Sequence, residues 1–138
     1  MGRKIILIDF FILTLVFAFI AAIFTVPGLG RVATSPIFLL FSGASLLCLG
    51  LILVYLTIKE GIKGKTGKFL LLTGFSSIGI FSSVILHNFI YALIFAGLLK
   101  IPQTDESFFF ILATLVFPTS FFVGIIGTII LLVKNRLE

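Results

Sequence analysis

Four long apolar runs, parted by short polar or glycine- and proline-bearing stretches, set the pattern of this chain. They cover residues 5–24, 37–58, 69–99 and 108–133. Each reaches the roughly 20 residues that an α-helix needs to cross a ~30 Å hydrocarbon core. A helix also satisfies its own backbone N–H and C=O groups, which a lipid medium demands. The pattern predicts an all-α integral membrane protein, a four-transmembrane-helix bundle forming one transmembrane domain over residues 1–138.

The first run follows Arg3 and Lys4, as the core of a signal peptide would. It is longer than the 7–15 residues typical of such a core, and no small-x-small cleavage site follows, so it reads as a retained helix. Turn formers fill 25–36 (TVPGLGRVATSP) and predict an irregular loop, with Ser35 capping the next helix and Pro36 in its first turn. The stretch 100–107 (KIPQTDES) joins the last two helices, with Thr104 or Asp105 as cap. The third run has 31 residues, about 46 Å as helix, and must tilt, kink or project beyond the bilayer. Pro118 lies inside the fourth run, where its ring opposes the carbonyl of Thr114. It predicts a kink and a hinge.

At 100° per residue the third run has two faces. Thr73, Ser76, Gly79, Ser83, His87 and Tyr91 share one; Phe75, Ile78, Ile85 and Phe89 fall on the other. Small residues recur elsewhere as Gly43, Gly50 and Thr57 in the second run, and as Gly124 and Gly127 in the fourth. In the first run they form a stripe of Thr14, Ala18, Ala21, Ala22 and Thr25. Membrane helices pack through such residues because lipid supplies no hydrophobic drive for association. Gly43, Gly50, Gly79 and Gly124 are therefore the expected packing points.

Composition sharpens the picture. Hydrophobic residues make up 60% of the 138, charged ones 11%, and mean hydropathy is +1.36. A soluble domain has about 25% charged residues, so a water-soluble fold is excluded. Of the ten Lys and Arg, eight flank one side of the predicted membrane: Arg3, Lys4, Lys59, Lys63, Lys65, Lys68, Lys134 and Arg136. Only Arg31 and Lys100 flank the other. That bias puts both termini and the Lys-rich loop in the cytoplasm. It also turns the net charge of +5 toward anionic lipids at that loop rather than toward nucleic acid. The glycines of GIKGKTG lack the spacing of a phosphate loop.

The candidate polar site is His87 with Asn88, Tyr91 and Ser83, because an ionisable residue within a membrane run is a functional hypothesis by default. His87 could carry protons, ligate a metal or hold a haem. The alternative is a histidine hydrogen-bonded at a helix interface near the outer surface. A metal would want further His, Cys or carboxylates, and only Cys48, Asp105 and Glu106 are conceivable, from distant positions. Asp9, the single acid inside an apolar run, lies across the first helix from its small-residue stripe. It is expected to snorkel, or to pair with Lys4 or Lys134. No HExxH, GxSxG or CxxC occurs, so neither catalytic nor cofactor residues are expected.

The segment 68–93, which takes in most of the third run, carries Thr73-Gly74 and Leu86-His87-Asn88 with a following Tyr91. In this it resembles a segment of uncharacterised small prokaryotic four-helix integral membrane proteins. The resemblance covers about a fifth of the chain and implies a polytopic plasma-membrane protein with no particular activity. The marks of small multidrug transporters, fluoride channels, disulfide-generating membrane enzymes and four-helix cytochromes are missing. The functional expectation is a structural or accessory membrane protein, self-associating or part of a larger complex. The alternative is an oligomeric channel or carrier for an ion or small solute, with His87, Asn88 and Tyr91 in an outer vestibule.

Overall fold

The structure, a computed structural model, describes residues 2–33, 35–90 and 107–137, with no strand among them. Its helices are α1 (Gly2–Thr25), α2 (Gly30–Ala33), α3 (Pro36–Lys59), α4 (Gly64–Ile90), α5 (Ser107–Ile111) and α6 (Phe117–Leu137), with a π-helical turn over Leu112–Val116. Four helical stretches are long and apolar enough to cross a membrane: Gly2–Thr25, Pro36–Lys59, Gly64–Ile90 and Phe108–Lys134. Residues 91–106, which hold Tyr91, Thr104, Asp105 and Glu106, lie outside the described part.

Contacts between side chains give the order and direction of the helices. Glu60 packs against Gly2 and Phe38 against Phe24, so α3 runs antiparallel to α1. Gly43 faces Phe81, and Gly74 faces Val54, so α4 runs antiparallel to α3. Gly79 faces Phe117 and Gly127 faces Phe69, so α6 reverses again. The ring closes where Phe17 stacks on Phe121 at 4.3 Å between centroids. The result is an up-down-up-down bundle around a core of Phe10, Leu13, Leu46, Leu53, Leu70 and Phe121.

The outside is as apolar as the inside. Phe11, Leu15 and Phe19 on α1, Phe41 on α3, Phe75 and Phe89 on α4, and Phe122 and Ile130 on α6 are exposed. Water would penalise such a surface, whereas hydrocarbon does not distinguish it from the core. Specificity must then come from close packing, and the glycines supply it. A Cβ on Gly50 would stand 2.9 Å from the carbonyl oxygen of Gly74, and one on Gly74 3.1 Å from that of Gly50. The backbones of α3 and α4 thus touch. Ser77 Oγ also donates across this seam to the carbonyl of Leu46 at 2.7 Å.

Three local features differ from the sequence expectation. The segment KEGIKGKTGK is mostly helical rather than a loop, because α4 begins at Gly64 and only residues 60–63 link it to α3. Gly61 and Gly64, at φ of 60° and 75°, make so short a reversal possible. The stretch after α1 is not wholly irregular, since it contains α2; Ser35 holds the N-cap position of α3, but its side chain makes no capping bond. Near Pro118 the irregularity takes the form of a π-helical turn. Thr114, whose carbonyl a regular helix would press against the proline ring, lies within it, and the Phe117 N–H bonds to the carbonyl of Leu112, five residues back.

Candidate functional site

The polar face of α4 turns inward along most of its length. Thr73, Ser76, Ser77 and Ser83 are buried, while Phe75, Ile85 and Phe89 on the opposite side are exposed. Thr73 Oγ1 donates to the carbonyl of Phe69 at 2.9 Å, and Ser77 bonds to α3. These hydroxyls are therefore engaged by backbone. Gly124 lies against Thr73, so the same face seats α6.

The end of α4 that carries the only histidine lies beside α5. His87 is half-buried, with its ring 5.8 Å from that of Phe110. Asn88 is exposed, and its Nδ2 donates to the carbonyl of Val84 at 2.8 Å, one turn back on its own helix. Ser83 is buried a turn below. Tyr91, which the sequence reading adds to this set, is not described. Cys48 is exposed on α3. Among the described residues no three His, Cys, Asp or Glu come together as metal ligands.

The largest departure from the sequence reading is on α1. Asp9 neither snorkels outward nor pairs with Lys4 or Lys134. It is buried beside Ile6, Phe10 and Leu13, and its Oδ2 has no hydrogen-bond partner. The small-residue stripe expected to pack lies at the edge of the packed face, with Thr14 and Ala21 half-buried and Ala18, Ala22 and Thr25 exposed. The physical reason is volume. α1 meets its neighbours through large side chains, Phe10 and Phe17 among them, and the face that carries these is also the face of Asp9. The spacing Ile6, Asp9, Phe10, Leu13 is itself a helical stripe, and following bulk rather than small residues would have found it.

A second unpartnered oxygen escaped the sequence reading. Thr128 on α6 is fully buried, and its Oγ1 has no hydrogen-bond partner. Phe17 meets Phe121 and Phe122, while Ile6 and Leu132 line one cavity. The antiparallel register between those points sets Asp9 and Thr128 in the same half of the bundle, toward the Lys-rich turn. A buried threonine in an apolar run carries no signal that would separate it from the helix-bonded Thr57 or Thr73.

At that same end lies a cavity of about 480 Å³, partly open to the outside. Arg3, Lys63 and Thr66 provide its polar lining; Ile6, Leu70 and Leu132 are among its apolar walls. Comparison with family models, with curated proteins and with solved structures yields no match for this chain.

Proposed function

We propose that this chain is a multi-pass membrane protein of structural or accessory type, without catalysis of its own, that self-associates or docks on a larger membrane complex. The observation that carries the reading is the fate of the small residues. Gly43, Gly50, Gly74, Gly79 and Gly124 are occupied within one chain, by Phe81, Ser77, Val54, Phe117 and Thr73 respectively. Part of the stripe on α1 is left over: Ala18 and Ala22, one turn apart, are exposed on a helix whose other face is already packed. In lipid, an exposed small-residue face offers close backbone approach to another helix. Residence in a prokaryotic plasma membrane, which rests on the resemblance of residues 68–93, and a cytoplasmic place for both termini and the Lys-rich turn, which rests on the charge bias, belong to the same proposal.

Native mass spectrometry of the protein released from its own membrane tests the reading. The expected result is a defined multimer or a stoichiometric complex, lost in Ala18→Leu/Ala22→Leu with helicity unchanged. A monomer in both forms would overturn it. The second reading, an oligomeric carrier for an ion or small solute, is favoured by one observation, the buried and unpartnered Asp9 Oδ2. It requires flux in liposomes that Asp9→Asn abolishes.

A further inference from the structure

The cavity at the Lys-rich end has features that the bundle itself does not use. Two cations from separate elements, Arg3 on α1 and Lys63 in the turn before α4, converge on it. Neither makes an ion pair among the described residues. Glu60, the acid of the same turn, is directed instead at Gly2, at the start of α1, where a carboxylate favours the helix dipole. Thr66, in the first turn of α4, adds a hydroxyl to the lining. Two positive charges beside a hydroxyl suit a phosphate.

The lower walls do not suit a soluble anion. Ile6, Leu7, Ile62, Leu70 and Leu132 make that part of the lining apolar. Leu7 also belongs to a second, more open groove of about 490 Å³ along the outside of α1. Lys4 stands at one end of that groove, and Leu7, Ile8, Phe11, Ile12 and Leu15 form its floor. From Lys4 to Leu15 it follows α1 for about 16 Å. A polar seat with two cations thus continues, through Leu7, into an open apolar groove on the outside of a membrane-crossing helix.

We propose that this pair of cavities is a binding site for one acidic phospholipid. Its phosphate sits between Arg3, Lys63 and Thr66, and one acyl chain lies along Leu7, Phe11 and Leu15. Such a site differs from general attraction of lysines to an anionic surface, because, although all three side chains are exposed, Lys63 lines the cavity and its neighbours Lys65 and Lys68 do not. The inference is independent of whether the protein is an accessory subunit or a carrier.

Native mass spectrometry of the purified full chain, titrated in detergent with phosphatidylglycerol or with phosphatidylcholine of the same acyl chains, tests it. The expected result is one retained phosphatidylglycerol per chain. At about fivefold per basic side chain, Arg3→Gln/Lys63→Gln weakens its binding roughly 25-fold, while Lys65→Gln/Lys68→Gln changes it less than about twofold. Thr66→Val, which keeps every charge, lowers binding severalfold and serves if the double variant is poorly folded. Equal losses in the two double variants would mean diffuse electrostatics and overturn the site. So would equal retention of the two lipids, or displacement of the lipid by excess inorganic phosphate, which would make this a seat for a soluble anion.

Discussion

Asp9 sets the terms at the scale of single residues. A carboxylate buried among Ile6, Phe10 and Leu13 with Oδ2 unpartnered costs folding free energy that an apolar side chain of similar size would not. Asp9→Val is therefore expected to stabilise the bundle, by about 1–3 kcal/mol, read as a rise in the thermal midpoint in detergent. His87→Ala should move that midpoint little, since the His87 ring is only half-buried, 5.8 Å from Phe110. If Asp9→Val is more stable but loses a phenotype, Asp9 is retained for work; if it is more stable and silent, the buried carboxylate is incidental. The hydroxyls tell the opposite story. Thr57, Thr73 and Ser77 each reach a backbone carbonyl at 2.7–2.9 Å, so they are polar in sequence and quiet in the fold.

At the scale of elements, four apolar stretches were plain from run length alone, because the hydrocarbon thickness fixes a minimum that few other constraints mimic. The faces were less legible. On α4 the polar face marked the interior, whereas on α1 the small-residue stripe fell at the edge of the packed face, with Ala18, Ala22 and Thr25 exposed. Helical periodicity shows that two faces exist, but which one turns inward depends on what the neighbouring helices offer. α3 and α4 meet where glycines let backbones touch; α1 meets α6 where phenylalanines fill space. The polar cavity was illegible for a different reason, since Arg3, Lys63 and Leu132 come together only once the helices close into a ring. Pro118 was visible, but the form of its accommodation was not. A π-helical turn holds one extra residue per turn, so removing its cause should let the helix revert. Pro118→Ala is expected to shift residues 107–116 by one position, about 100° around the axis. A pair of spin labels, one at residue 108 and one at residue 84, both exposed, would register this as a changed distance, and an unchanged distance would show that Pro118 is not what holds the turn.

At the scale of the whole molecule, the antiparallel ring puts the N-terminus of α1 beside the α3–α4 turn, as Glu60 against Gly2 shows. If the charge bias governs orientation, the two ends of the bundle face different compartments. In a Cys48→Ser background, Arg31→Cys should react with an impermeant maleimide in intact cells, and Lys65→Cys only after permeabilisation. The reverse pattern would invert the molecule and place the phosphate seat in the outer leaflet.

The contrast between the two kinds of seam has a consequence for assembly. α3, α4 and α6 are interlocked at backbone distance, a fit that only their own sequences satisfy. α1 is fastened by ring stacking and bulk, and ten residues, 26–35, separate it from α3. Were two copies to lie side by side, each could lend its first helix to the other and recover the same stacking of Phe17 on Phe121. Exchange of that helix would then give a dimer that requires no new surface.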